Sequence, residues 1–290
     1  MENLFEKGCL VQFSASIWGA TRKINPSQLS DRPISCDWFR ANKKLVDYDA
    51  LKPIKKVANM TRSYLSGVSL PFPIHGMVFL PKEMISQVDG KLNEFKEDFN
   101  KAVDLFIRRY DDLREMAMVY LGDLFNETDY PMDIRSKFSF VWRFVILDVP
   151  NGNTAILAPE VYTREKEKFV QTMEQARELA IQSLREEFGD MIERITERFT
   201  TGPDGKPKVF KNGTVNNFYE YFETFKERNI FKDDELAKLV ERAQAVLGGR
   251  TAESIRSDEG LKEKIRNDMH FVEQAMTDIL SMPRRKIVMN

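Results

Sequence analysis

One stretch of this sequence limits what the chain can fold into. Between residues 82 and 124, apolar side chains recur at Val88, Leu92, Phe95, Phe99, Ala102, Phe106, Tyr110, Leu113, Ala117, Tyr120 and Leu124, always three or four residues apart. That spacing puts them on one stripe of an α-helix, and a narrow stripe kept up over this length is the seam of a coiled coil. At a rise of ~1.5 Å per residue, an unbroken helix here would run about 60 Å. A second stripe covers 164–199, through Phe169, Met173, Ala176, Ala180, Leu184, Phe188, Met191, Ile195 and Phe199. The expected fold is mainly α: a long antiparallel coiled-coil helix pair with a helical body and a small β element.

The β signals lie outside these stripes. Residues 9–17 alternate, with Val11, Phe13, Ala15 and Ile17 on one face, as in a half-buried strand. Phe138, Phe140, Trp142, Phe144 and Ile146 alternate in the same way, and the Asn151-Gly152 turn predicts a returning strand over 154–157. Asp47 or Asp49 can cap a helix running to about Leu65, with Pro53 in its first turn. No charge occurs over 67–81, where Pro71, Pro73 and Pro81 surround Met77-Val78-Phe79-Leu80, so this segment is expected to be packed. If the helix over 82–124 is unbroken, the strands near Phe79 and Phe138 lie ~60 Å apart and cannot share a sheet. Further helix caps are expected at Thr163, Thr214, Asp233 and Ser257. The domain division expected is an N-terminal basic region over 1–81, a helical hairpin over 82–199 with a β insertion at 138–157, and a C-terminal helical region over 200–290.

Composition narrows the function classes. The net charge of −1 gives no global pull toward nucleic acid or membrane. Cys9 and Cys36 form no CxxC pair, which argues against a disulfide framework or a zinc site and points to a reduced, cytoplasmic setting. Neither a signal peptide nor a membrane-spanning run of ~18 apolar residues is seen. His75 and His270 are the two histidines, and neither has the neighbours of a catalytic triad. Gly202-Pro203-Asp204-Gly205-Lys206 has the wrong spacing for a phosphate loop. No catalytic, cofactor or metal residues are therefore assigned, and a non-enzymatic protein is expected.

Two features could bind something. Residues 1–66 carry eleven Lys/Arg against six Asp/Glu, a net of +5. Within them Trp18, Arg22, Lys23, Lys43, Lys44, Lys55 and Lys56 are candidate nucleic-acid contacts, since cations interleaved with aromatics can hold a phosphate backbone and stack bases. The plainer alternative is a solvated face with buried tryptophans, and only weak, salt-sensitive binding is expected. The strand residues Phe138, Phe140, Trp142 and Phe144 are candidate protein-partner contacts. Their alternative is a strand covered on both faces by the chain's own helices.

Four short pieces carry a resemblance: Ile17-Trp18-Gly19-Ala20-Thr21-Arg22-Lys23; Lys43-Lys44-Leu45-Val46-Asp47 leading to Leu51; Ile134-Arg135-Ser136-Lys137-Phe138-Ser139-Phe140; and Ser254-Ile255-Arg256 before Leu261. In order and spacing they resemble an uncharacterised family of phage and mobile-element proteins, commonly encoded beside a MoxR-type AAA+ ATPase and a von Willebrand factor A-domain protein. The resemblance implies context and transfers no catalytic residue. It makes an accessory or adaptor protein working with the ATPase the leading expectation, with single-strand nucleic-acid binding in phage DNA metabolism as the alternative. A second copy of the chain is a further possible partner.

Overall fold

A computed structural model describes residues 4–25, 40–147, 158–200 and 212–281. Cys36, Trp38, Phe39, the Asn151-Gly152 turn, the strand expected at 154–157, the glycine-containing stretch from Gly202 and the tail from Pro283 lie outside these residues. The described elements are β1 (Gly8–Ser16), β2 (Thr21–Ile24), β3 (Ala41–Lys44), α1 (Tyr48–Val68), β4 (Leu70–Pro71), β5 (Met77–Pro81), α2 (Ile85–Arg108), α3 (Tyr110–Leu121), β6 (Ser139–Val145), α4 (Pro159–Glu197), α5 (Asn212–Arg228), α6 (Asp234–Leu247), α7 (Ala252–Ser257) and α8 (Glu259–Ser281). Four strands form one sheet in the order β4-β5-β1-β6, and β2 and β3 make a separate antiparallel ribbon. The chain divides into two compact units. Unit one comprises Met1–Leu10, Gly67–Met84 and Ile146–Asn290; unit two comprises Val11–Ser66 and Ile85–Val145.

In unit two, α2 buries Val88, Leu92, Phe95, Phe99, Val103 and Phe106. Of these, Phe95, Phe99, Val103 and Phe106 share a core with Leu51, Ile54 and Ala58 of α1 and with Phe140 of β6. The Phe99 and Phe140 rings lie 5.4 Å apart, and Phe13 of β1 meets Phe140 edge-on at 4.8 Å. Asp47 caps α1 by accepting from the Asp49 N–H at 3.1 Å. Because the helix starts at Tyr48, Pro53 lies inside it and not in its first turn, which removes one helical hydrogen bond on the exposed side.

Unit one is built around α4, which buries Ala176, Ala180, Leu184, Phe188, Met191, Ile192 and Ile195. Its main partners are α5 and α8, and α6 packs on α8. Asp233 caps α6 through the Leu236 N–H at 3.2 Å, and Gly248 ends that helix at φ +47°. Thr251 caps α7, and Asp258, not Ser257, accepts from the third amide of α8 at 3.0 Å. Gly8 must be glycine: a Cβ there would strike the Leu80 carbonyl oxygen and come within 2.7 Å of the Phe79 ring.

The long antiparallel coiled-coil pair does not form. The helix expected over 82–124 breaks at Arg109, whose amide bonds back three residues to the Phe106 carbonyl at 3.1 Å, and α3 then ends at Gly122 with φ +51°. The two stripes belong to different units and have different partners: α1 and β6 for α2, and α5 and α8 for α4. Three-four spacing reports that a helix face is buried; it does not report what buries it. The expectation that strands near Phe79 and Phe138 cannot share a sheet also fails, since β5 and β6 both belong to the four-stranded sheet. Residues 122–138 make short 3₁₀ turns instead of more helix. A connection of that length reaches up to roughly 55 Å when extended, enough to carry β6 back to Phe99. The protein is a mixed α and β fold, predominantly helical.

Candidate functional site

The structure separates the seven cationic and aromatic candidates into two groups. Trp18 is half-buried, its ring 5.8 Å from Tyr110 and 6.3 Å from Phe106, so it serves the core of unit two. Lys43 is also structural. Its ammonium donates to the Leu124 carbonyl and sits 2.7 Å from Asp129, with 10% of its side chain exposed. Arg22, opposite Lys43 in the β2–β3 ribbon, approaches the same carboxylate at 3.6 Å. Asp129 thus ties the ribbon to the turn Glu127–Asp129. Lys23 and Lys44 stay exposed on the ribbon.

Lys55 and Lys56 belong to a different place. With Tyr48, Lys52, Asn59 and Phe95 they line a groove of 950 Å³ along α1. The ammonium of Lys55 lies 4.4 Å from the Tyr48 ring centroid, and that of Lys52 lies 5.8 Å from it. Lys52 also meets Asp49 at 2.6 Å, and that hydrogen bond lifts its pKa above the ordinary lysine value. Reading the sequence missed Tyr48 in this role. The signal was available, because residues 48, 52, 55 and 59 share one stripe of the helix, flanking the buried stripe of Leu51, Ile54 and Ala58.

Beside the ribbon, Tyr130 donates its hydroxyl proton to the Leu45 carbonyl at 2.9 Å. Burial pushes its pKa up to about 12. A phenol whose folded pKa lies above its unfolded value of about 10 contributes stability below that value and loses it as the pH rises through the folded one. Unit two should therefore lose stability between about pH 10 and 12, and Tyr130→Phe should flatten that loss while costing about 1 kcal/mol at neutral pH. Denaturant melts across the alkaline range check both; an unchanged alkaline slope in the variant would assign the loss to another group.

The strand candidates are also divided. Phe140 is buried, and Phe138 packs edge-on to Phe106 at 5.5 Å. Trp142 donates its indole N–H to Asp89 at 2.9 Å. By contrast Phe144 is 39% exposed, and Val141, on the other face, is 44% exposed. A larger apolar surface lies on α3, where Val119 is 79% and Tyr120 82% exposed and Met116 and Met118 are also exposed. The sequence pattern had placed Tyr120 in the buried seam. The run Met118-Val119-Tyr120-Leu121 was the warning, since four successive apolar residues cannot share one helix stripe.

His75 is exposed on the β4–β5 turn, and His270 contacts Glu273 and Gln274 on α8. Among the described residues no group of three or more His, Cys, Asp or Glu side chains is placed to hold a metal ion. Among them too, no helix is long and apolar enough to cross a membrane.

A family model described as a protein of unknown function, DUF3150, matches residues 5–198. The chain belongs to the DUF3150 family. The match covers all of unit two and runs to the end of α4, so in this DUF3150 member α5 to α8, including Ser254-Ile255-Arg256, lie beyond it. Neither the curated proteins nor the solved structures contain a match to the chain.

Proposed function

We propose that this protein is a non-enzymatic adaptor of a phage or mobile element, working in the host cytoplasm with a MoxR-type AAA+ ATPase and a von Willebrand factor A-domain protein. The observation that carries the reading is the apolar face of α3. Met116, Val119 and Tyr120 fall at i, i+3 and i+4 and are exposed toward the end of a helix whose earlier residues Leu113 and Ala117 are buried. Contiguous exposed apolar side chains are the usual mark of a protein-binding surface, and an exposed Tyr among them is a frequent energetic centre. The choice of an ATPase as partner rests on the resemblance carried by the Ile17 to Lys23 and Ile134 to Phe140 segments.

The test is co-purification of the tagged protein with a MoxR-type AAA+ ATPase. Val119→Glu with Tyr120→Ala should weaken retention at least tenfold without lowering helix content, as loss of a central interface tyrosine does. Val141 and Phe144 are the second pair to substitute; Trp142 is a poor probe because its indole serves Asp89. If the ATPase is not retained with or without nucleotide, the adaptor reading falls.

A further inference from the structure

Beyond the adaptor reading, we infer that the groove along α1 binds single-stranded nucleic acid. Lys52 and Lys55 flank the Tyr48 ring, which is 54% exposed, and Lys56 lines the same groove. Among the described residues no carboxylate pairs with Lys55 or Lys56; only Lys52 has one, in Asp49. A long exposed tyrosine beside unpaired ammonium groups suits a ligand that alternates negative charges with flat rings. A phosphate takes the Lys55 ammonium and draws it off the Tyr48 face, and a base then stacks there. Asn59 adds an amide with both donor and acceptor atoms on the same stripe.

The geometry favours a single strand over the other polyanions. From Tyr48 to Asn59 the stripe measures about 17 Å, room for a few nucleotides. A duplex keeps its base faces within its own stack and offers Tyr48 nothing to stack on. An acidic peptide supplies charge without flat rings, and an anionic membrane surface would use the lysines alone.

The experiment is fluorescence anisotropy on the full chain with a labelled oligothymidylate, a matched duplex, polyglutamate and phosphatidylserine vesicles as competitors. Three lysine contacts predict that affinity falls about 20-fold between 50 and 200 mM salt. Lys55→Gln with Lys56→Gln should reduce that fall to about threefold and weaken binding at low salt. Tyr48→Ala should weaken binding at least about fivefold, while Tyr48→Phe, which keeps the stacking face, should not. All of these side chains are exposed or half-buried, and circular dichroism confirms that the variants fold. The proposal is overturned if no binding is seen at 50 mM salt, if Tyr48→Ala binds as the parent does, or if duplex, polyglutamate or vesicles compete as well as the unlabelled strand.

Discussion

Phe99→Asp is expected to unfold unit two under conditions in which the parent is fully folded. The Phe99 side chain is 1% exposed and sits where α1, α2 and β6 converge, against Phe140. The substitution removes an aromatic ring from a packed site, which alone costs about 3–5 kcal/mol, and places a carboxylate in the space left behind. Domains of this size have a total stability of about 5–15 kcal/mol, so the loss takes most of what is available. Phe99→Leu, which keeps an apolar side chain of similar volume, should cost about 1.5 kcal/mol. Thermal melts followed by circular dichroism separate the two. Equal melting temperatures for Phe99→Asp and the parent would mean that this face of α2 is not buried.

The second large effect is expected in unit one. Arg228 is 1% exposed, yet it carries a full charge, held by Glu187 of α4 at 2.5 and 3.2 Å. Its guanidinium also lies 5.9 Å from the Tyr221 ring, and burial raises the pKa of that phenol. Glu187→Leu leaves the buried guanidinium without its counter-charge, a change that costs about 3–5 kcal/mol. Adding Arg228→Met to the same chain should recover most of that loss, because a well-packed apolar pair often matches a buried ion pair in stability. Urea denaturation of both single variants and the double completes the cycle. A Glu187→Leu protein as stable as the parent would show that Arg228 gains nothing from the pair.

These expectations mark where the sequence was legible. The α2 stripe could be read because burial of one helix face imposes a period: Val88, Leu92, Phe95, Phe99 and Phe106 are buried as spaced, while Val103 is buried where the stripe had Ala102. Its partner could not, because a period carries no information about what lies opposite. Alternation in β6 was readable for the same reason: Phe140 is in and Val141 is out. Arg228 was not readable. A basic residue in the last turn of a helix is ordinarily a solvated complement to the helix dipole, and its burial depends on Glu187, 41 residues earlier in the chain. Among the site residues the cationic character of Lys55 and Lys56 was plain from the sequence. That Lys43 is sequestered was not, since this follows from Asp129, which meets it only after the chain has turned back past Gly122.

The interleaving of the two units has a consequence for how the protein is made. Neither unit is a continuous stretch, since the chain passes between them after Leu10, Ser66, Met84 and Val145. Everything unit two requires has left the ribosome once Val145 emerges, whereas the first residues of unit one wait for partners not yet synthesised. The Lys7 ammonium, for example, donates to the Ile230 carbonyl at 2.9 Å across 223 residues of sequence. Closing so long a loop is slow relative to forming local contacts. During translation the segments 4–10 and 67–84 must therefore stay unpaired by α4 to α8 while unit two folds, and a gene truncated after residue 145 would leave both segments in that state.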